Sequence, residues 1–153
     1  MTYKEYRKAL KAIEKKYDGE MKNLQADIDE VRRLRELKKI SEQEAWDREM
    51  KLSSILDSVK NRCKRSIERL KMKFARQDAP AGIGDLVWAK GTLLKVEEIK
   101  LAAFEYPMLK YFGLQLSLYG LPKKVQLKHP RGGIYQKDIT SVNGEAYTYK
   151  VRE

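Results

Sequence analysis

The chain has one cysteine and one histidine among its 153 residues, and no proline before Pro80. Each scarcity removes a class of chemistry. Cys63 cannot close an intrachain disulfide, and one Cys with one His cannot supply the converging donors of a zinc site, so no metal or cofactor is expected. Phosphate loops are missing too. No GK[ST] element occurs, and GIGD at 82–85 lacks the third glycine and the strand-to-helix setting of a dinucleotide fingerprint. His129, ahead of Pro130 in the basic stretch LKHPRGG, reads as an exposed loop residue rather than a general base. Cys63 occupies a helical seam position and reads as a small buried hydrophobe. Glu97 and Glu98 are neighbours on a predicted strand and point to opposite faces, which leaves no close carboxylate pair. The expectation is a protein that is not an enzyme. No apolar run approaches the roughly 18–20 residues of a membrane span, and MTYKEYRKAL lacks the apolar stretch of a signal peptide. A cytoplasmic chain with no membrane partner is expected.

What is abundant is charge. Charged residues make up 36% of the chain and the net charge is +11, with a mean hydropathy of -0.68. That is polar for a compact globule and typical of long two-sided helices. All four prolines and eight of the nine glycines lie at or after Pro80, leaving only Gly19 upstream. The shift divides the chain into a helical module at 1–77, a linker at 78–84 and a β module at 85–153.

In the first module Leu10, Ile13, Tyr17, Met21, Leu24, Ile28, Val31 and Leu34 recur at intervals of three and four, the stripe of an amphipathic helix starting near Thr2. A second stripe runs through Leu52, Leu56, Val59, Cys63, Ile67, Leu70 and Phe74. Between them, Ser41 can cap the second helix while Glu44 reaches back to the Ser41 N–H, with Ile40 and Ala45 as a hydrophobic staple. A turn this short makes the helices antiparallel, a coiled-coil helical hairpin with arms on the order of 50 Å at 1.5 Å rise per residue. Tyr3, Tyr6, Trp46 and Met50 widen the apolar surface beyond a minimal seam, for a homodimer through the hairpin or for covering the β module and the hairpin tip.

In the second module DLVWAKG, TLLKVEEIKL, MLKYFGLQLSLYG, GIYQKDI and EAYTYKV read as five short strands. Asn143-Gly144 in SVNGEAY fits a type I′ hairpin, after which Tyr147, Tyr149 and Val151 share one face. Closure into a small barrel removes the exposed edges most economically, giving an α+β fold: a long antiparallel hairpin followed by a small SH3-like β-barrel. An open curled sheet or an OB-like closure remains an alternative. GIGDLVWAKGTLLKVEEI resembles the start of SH3-like barrels of the KOW and Tudor kind, and YFGLQLSLYGLPKK with IYQKDI resembles a module of uncharacterised bacteriophage and mobile-element proteins. These resemblances imply a fold and carry no functional residues.

Charge position points to a ligand. Residues 1–16 carry six basic residues against two acidic, a net of +4; residues 60–76 carry eight against one, a net of +7; residues 17–59 carry eight against eleven, a net of -3. Antiparallel helices bring the two basic segments together. The predicted surface comprises Lys4, Arg7, Lys8, Lys11, Lys60, Arg62, Lys64, Arg65, Arg69, Lys73 and Arg76, with the loop residues Lys123, Lys124, Lys128 and Arg131. Its expected partner is DNA or RNA, bound without sequence preference through phosphates, or a nucleic-acid-handling protein. Aromatic residues of the β module fill its core or line a groove, with Trp88 and Tyr135 as the groove candidates. Two other readings stay open: a protein-binding inhibitor of a host nucleic-acid enzyme, such as a nucleic-acid-guided nuclease, and a coiled-coil assembly component.

Overall fold

A computed structural model describes residues 1–102, 104–116 and 133–153. Two long helices, α1 (Tyr3–Glu36) and α2 (Glu42–Arg76), precede β1 (Leu86–Ala89), β2 (Thr92–Ala102), β3 (Met108–Leu116), β4 (Ile134–Tyr135), a 3-10 turn (Gln136–Asp138), β5 (Ser141–Val142) and β6 (Glu145–Ala146). The chain forms two compact units, a hairpin unit of Arg7–Leu70 and a sheet unit of Met1–Tyr6 with Lys71–Glu153.

Helix α1 starts on a reciprocal capping box. The Thr2 hydroxyl accepts the Glu5 N–H at 3.2 Å and the Glu5 carboxylate accepts the Thr2 N–H at 2.7 Å. Helix α2 receives only half of the box expected at its own start. Ser41 Oγ accepts the Glu44 N–H at 3.1 Å, but the Glu44 carboxylate turns to Arg48 Nη2 at 2.6 Å instead of the Ser41 N–H. A charged guanidinium one turn along is the stronger donor. Between the helices, Lys38 takes the left-handed conformation with φ 54°, and the Lys38 and Lys39 N–H groups donate to the Arg35 and Leu34 carbonyls. This is a Schellman stop, made with a lysine where glycine is usual.

Within the hairpin unit the helices run antiparallel. Tyr17 Oη meets Ser66 Oγ at 3.2 Å, Arg62 meets Glu20 at 3.8 Å, and Arg32 and Arg35 converge on Glu49 at 3.5 and 3.8 Å. Ile28, Val31, Leu56 and Val59 are buried, and the other stripe residues of this unit are half-buried. Ala45 is buried as the staple requires. Trp46 and Met50 are not covered: they are 59% and 53% exposed.

The sheet unit is built on an antiparallel six-stranded sheet of order β4-β3-β2-β1-β5-β6. Among the described residues no ladder joins β4 to β6, so the hydrogen-bonded sheet is open. Val87, Ala89, Leu94, Val96, Leu109, Tyr111, Ile134 and Ile139 bury its inner face, together with Ala75 and Ala81. Two type I′ turns set the register. One at Lys90-Gly91 (φ 49° and 75°) joins Ala89 to Thr92, and one at Asn143-Gly144 (φ 49° and 84°) joins Val142 to Glu145. Asp85 ties the GIGD turn to the second hairpin, accepting the Gly82 N–H at 2.7 Å and the Asn143 amide at 3.1 Å. Those donors hold its carboxyl below the usual carboxylate range.

Two strand expectations need correction. The segment EAYTYKV is a strand only at Glu145–Ala146; Tyr147 and Tyr149 are half-buried, and Val151 is 57% exposed rather than sharing their face. Beyond Ala146 the Tyr147 N–H still donates to the Thr140 carbonyl at 2.9 Å in the same register, but the Thr140 N–H turns to the Trp88 carbonyl at 2.9 Å, so the reciprocal bond that would extend the ladder is not made. The register of β2 on β3 shifts between Val96 and Glu98, a bulge that breaks strict alternation, and Glu97 and Glu98 are both exposed.

The rest of the sheet unit closes around aromatic rings. Tyr3, Tyr6, Phe74 and Tyr106 form one cluster, with Phe74 4.8 Å from Tyr6 and 5.1 Å from Tyr106 by ring centroids. Tyr149 meets Tyr106 edge-on at 6.3 Å, and burial pushes its hydroxyl up to about 12. Gln136, 2% exposed, accepts the Leu109 N–H at 3.1 Å and donates to the Asp78 carbonyl at 2.7 Å. Both ends of a buried amide are thereby satisfied.

Candidate nucleic-acid interface

The hairpin unit distributes its paired arginines unevenly, while Lys38, Lys39 and Lys51 near the turn are exposed without a carboxylate within 4.0 Å among the described residues. Towards the turn, every arginine has a carboxylate: Arg32 and Arg35 at Glu49, Arg33 in a two-bond fork on Glu30 at 2.8 and 2.7 Å, and Arg48 on Glu44. The fork holds the Glu30 carboxyl below its usual range. Towards the open end the pattern reverses. Arg7, Lys8, Lys11, Lys60, Arg62, Lys64, Arg65 and Arg69 are all exposed. Arg62 pairs with Glu20 at 3.8 Å, the same separation as Arg35 from Glu49. Among the described residues no carboxylate oxygen comes within 4.0 Å of Lys8, Lys11, Lys60, Lys64, Arg65 or Arg69.

Helical spacing explains how one element displays so many. Arg62, Arg65 and Arg69 follow each other at three and four residues and so lie along one flank of the seam, while Lys60 and Lys64 are four apart and mark the other flank. Cys63, Ile67 and Leu70 turn inward between them, which leaves the basic residues no place but solvent. Like charges at i,i+4, as in Lys60/Lys64 and Arg65/Arg69, each cost about 0.2–0.5 kcal/mol in a helix. A phosphate chain alongside offsets that repulsion and releases its own counterions on doing so.

The remaining predicted residues fall elsewhere. Lys4, Lys73 and Arg76 are exposed and belong to the sheet unit. Lys123, Lys124, Lys128 and Arg131 lie outside the described residues. Trp88 and Tyr135, the groove candidates, are both half-buried but stand on β1 and β4, with β2 and β3 between them in the sheet. Trp88 is opposite Leu93 and Ser141. Tyr135 instead neighbours Phe104, 5.5 Å away, and Lys110, whose Nζ lies 4.5 Å from the Tyr135 ring centre. Sequence reasoning missed that grouping because Phe104 sits in a β2–β3 connection with no periodicity to place it.

A concave pocket of about 310 Å³ lies beside Tyr135, lined by Thr92, Gln115, Ile134 and an ion pair of Lys90 with Asp138 at 3.4 Å. Among the described residues Asp138 is its one carboxylate. Among the described residues no three His, Cys, Asp or Glu side chains are gathered as a metal ion requires, and no helix is long and apolar enough to cross a membrane. Comparison of the chain with protein-family models, curated proteins and solved structures gives no match.

Proposed function

We propose that the protein is a non-enzymatic nucleic-acid-binding protein that grips the phosphate backbone through the open end of its hairpin unit. The observation that carries this reading is the cluster at the open end: Arg65 and Arg69 face solvent without a carboxylate, unlike the arginines near the turn, and Lys8, Lys11, Lys60 and Lys64 stand beside them equally uncompensated. Charges needed only for solubility would be mixed in sign along both halves. Contacts of this kind read charge and spacing, not base sequence. An SH3-like barrel, the form the β module resembles, would follow from curling of the open sheet; the β1-to-β4 meander, with β5 returning to the free side of β1, supports it.

Arg62→Gln, Arg65→Gln and Arg69→Gln combined tests the reading. All three side chains are exposed, so the helix content by circular dichroism stays unchanged. Affinity for duplex DNA at 50 mM salt is expected to fall on the order of 100-fold, and the slope of log K against log salt to flatten by about 3, one per lost contact. Unchanged affinity would remove the hairpin from the interface. A second reading, docking on a protein, is favoured by Trp46 and Met50, exposed one turn apart on α2. The same experiment separates the two, because a hairpin that meets only protein has no DNA affinity to lose.

A further inference from the structure

The outer face of the β4-β3-β2 edge carries a second basic surface, and this one is interleaved with rings. Lys100 pairs with Lys110 across β2 and β3, and Lys110 pairs with Tyr135 across β3 and β4. Direct cross-strand partners project to the same side, so the three form a row with one side chain every ~4.8 Å. The flanking Leu109 and Tyr111 point the other way, into the buried core. Phe112 occupies the next position on β3, opposite Glu98, and at 5% exposed it is a buried base of the row rather than an open ring. The Nζ atoms of Lys100 and Lys110 lie 5.4 and 5.3 Å from the Phe112 ring centre. Phe104 extends the row beyond Tyr135, and Lys137 Nζ lies 5.9 Å from the Phe104 ring centre.

Two details set this apart from ordinary surface packing. Phe104 leaves 47% of its area in water although it neighbours another ring, so one side of an aromatic pair stays open. The row also gathers the ammonium groups of Lys100, Lys110 and Lys137 around its rings; Glu98 sits 3.2 Å from Lys100, and Glu105 and Asp138 adjoin Phe104 and Lys137 in the chain. An open ring with the Lys137 ammonium beside it, next to a Tyr135 ring that carries the Lys110 ammonium, matches a ligand with a flat π-face flanked by phosphates. Only an unpaired nucleotide offers that face, since a duplex hides its bases in the stack.

We propose that this face is a single-strand subsite: one unpaired base stacks on Phe104 beside Tyr135, while Lys100, Lys110 and Lys137 take the flanking phosphates. The proposal rests on the reading that the ligand is nucleic acid, and it adds to the phosphate grip of the hairpin unit a site for unpaired bases.

The test uses the full chain with a fluorescent 12-nucleotide oligothymidine and a duplex of equal length. Phe104→Ala is expected to weaken oligothymidine binding about tenfold or more, to leave duplex binding unchanged, and to leave the salt slope unchanged because no cation is removed. Phe104→Trp should restore affinity, with the fluorescence of the added indole quenched on binding. Lys137→Gln should flatten the single-strand salt slope by about 0.7. The subsite is overturned if Phe104→Ala stays within twofold of the parent on oligothymidine, if it loses duplex equally, or if anionic phosphatidylserine vesicles bind more tightly than the oligonucleotide. Should the parent hold duplex while Phe104→Ala is neutral on single strands, only the subsite fails. Should the parent retain neither nucleic acid at 50 mM salt, the proposed function fails with it.

Discussion

Replacing Phe74 with alanine lowers the stability of the sheet unit by about 3–5 kcal/mol, the usual loss for emptying a buried phenylalanine site. The residue is 4% exposed and touches Tyr6, itself 1% exposed, along with Tyr3 and Tyr106. Three rings cannot collapse into the space without leaving their own contacts, so little of the cavity is recovered. Urea unfolding followed by near-ultraviolet circular dichroism measures the change, because the signal comes from the tyrosines that lose their partner. A loss below about 1 kcal/mol would mean that the ring cluster is not part of the folded core. No charge is altered, so the variant binds DNA with the parental salt slope wherever it is folded.

Gly113→Ala is expected to be damaging for a different reason. Gly113 faces Val96 where β3 crosses the bulge in β2. A Cβ there would stand 1.9 Å from the Lys95 carbonyl oxygen and 2.8 Å from the Glu97 nitrogen. Both obstacles are backbone, so no side chain can rotate aside; the strands must part, and the β2–β3 ladder opens at its centre. A penalty of about 3 kcal/mol follows, at the upper end for overpacking. Thermal unfolding of the purified variant reads it. A midpoint within about 2 °C of the parent would show that the bulge can relax.

These two sites mark where sequence reasoning succeeds and where it stops. The seam was legible because helical period is a local property: Leu56, Val59, Cys63 and Ile67 were placed by spacing alone, and the structure turns them inward. The type I′ turn at Asn143-Gly144 was equally plain, since few residue pairs tolerate two positive φ values. The capping box at Thr2 and Glu5 shows the same three-residue spacing as Ser41 and Glu44, yet it forms completely and the expected one does not. Competition from Arg48 decides that, and a cap motif does not record its competitors. The period of the helical stripe includes Phe74, but its neighbour Tyr106 is 32 residues away in the chain. Long-range partners of this kind leave no periodic trace. Gly113 carried only a weak sign, a lone glycine inside an apolar strand.

The candidate interface divides in the same way. Basic residues can be counted in a sequence, and their position on the outer flanks follows from the seam. The pairs Arg33–Glu30 and Arg48–Glu44 follow from spacing of three and four residues on one helix, whereas the convergence of Arg32 and Arg35 on Glu49 came only from the fold. The row of Lys100, Lys110 and Tyr135 required strand register. The pairing of Phe104 with Tyr135 depended on a connection that has no repeat at all.

The central claim is that unpaired cations at the open end of the hairpin unit bind nucleic-acid phosphate. Filter binding of the unmodified protein to a duplex DNA of arbitrary sequence, titrated from 50 to 300 mM salt, tests it most directly. About five phosphate contacts give a slope of log K against log salt near -4 to -5, the same for unrelated sequences. No retention at 50 mM salt, or a slope near zero, would contradict it.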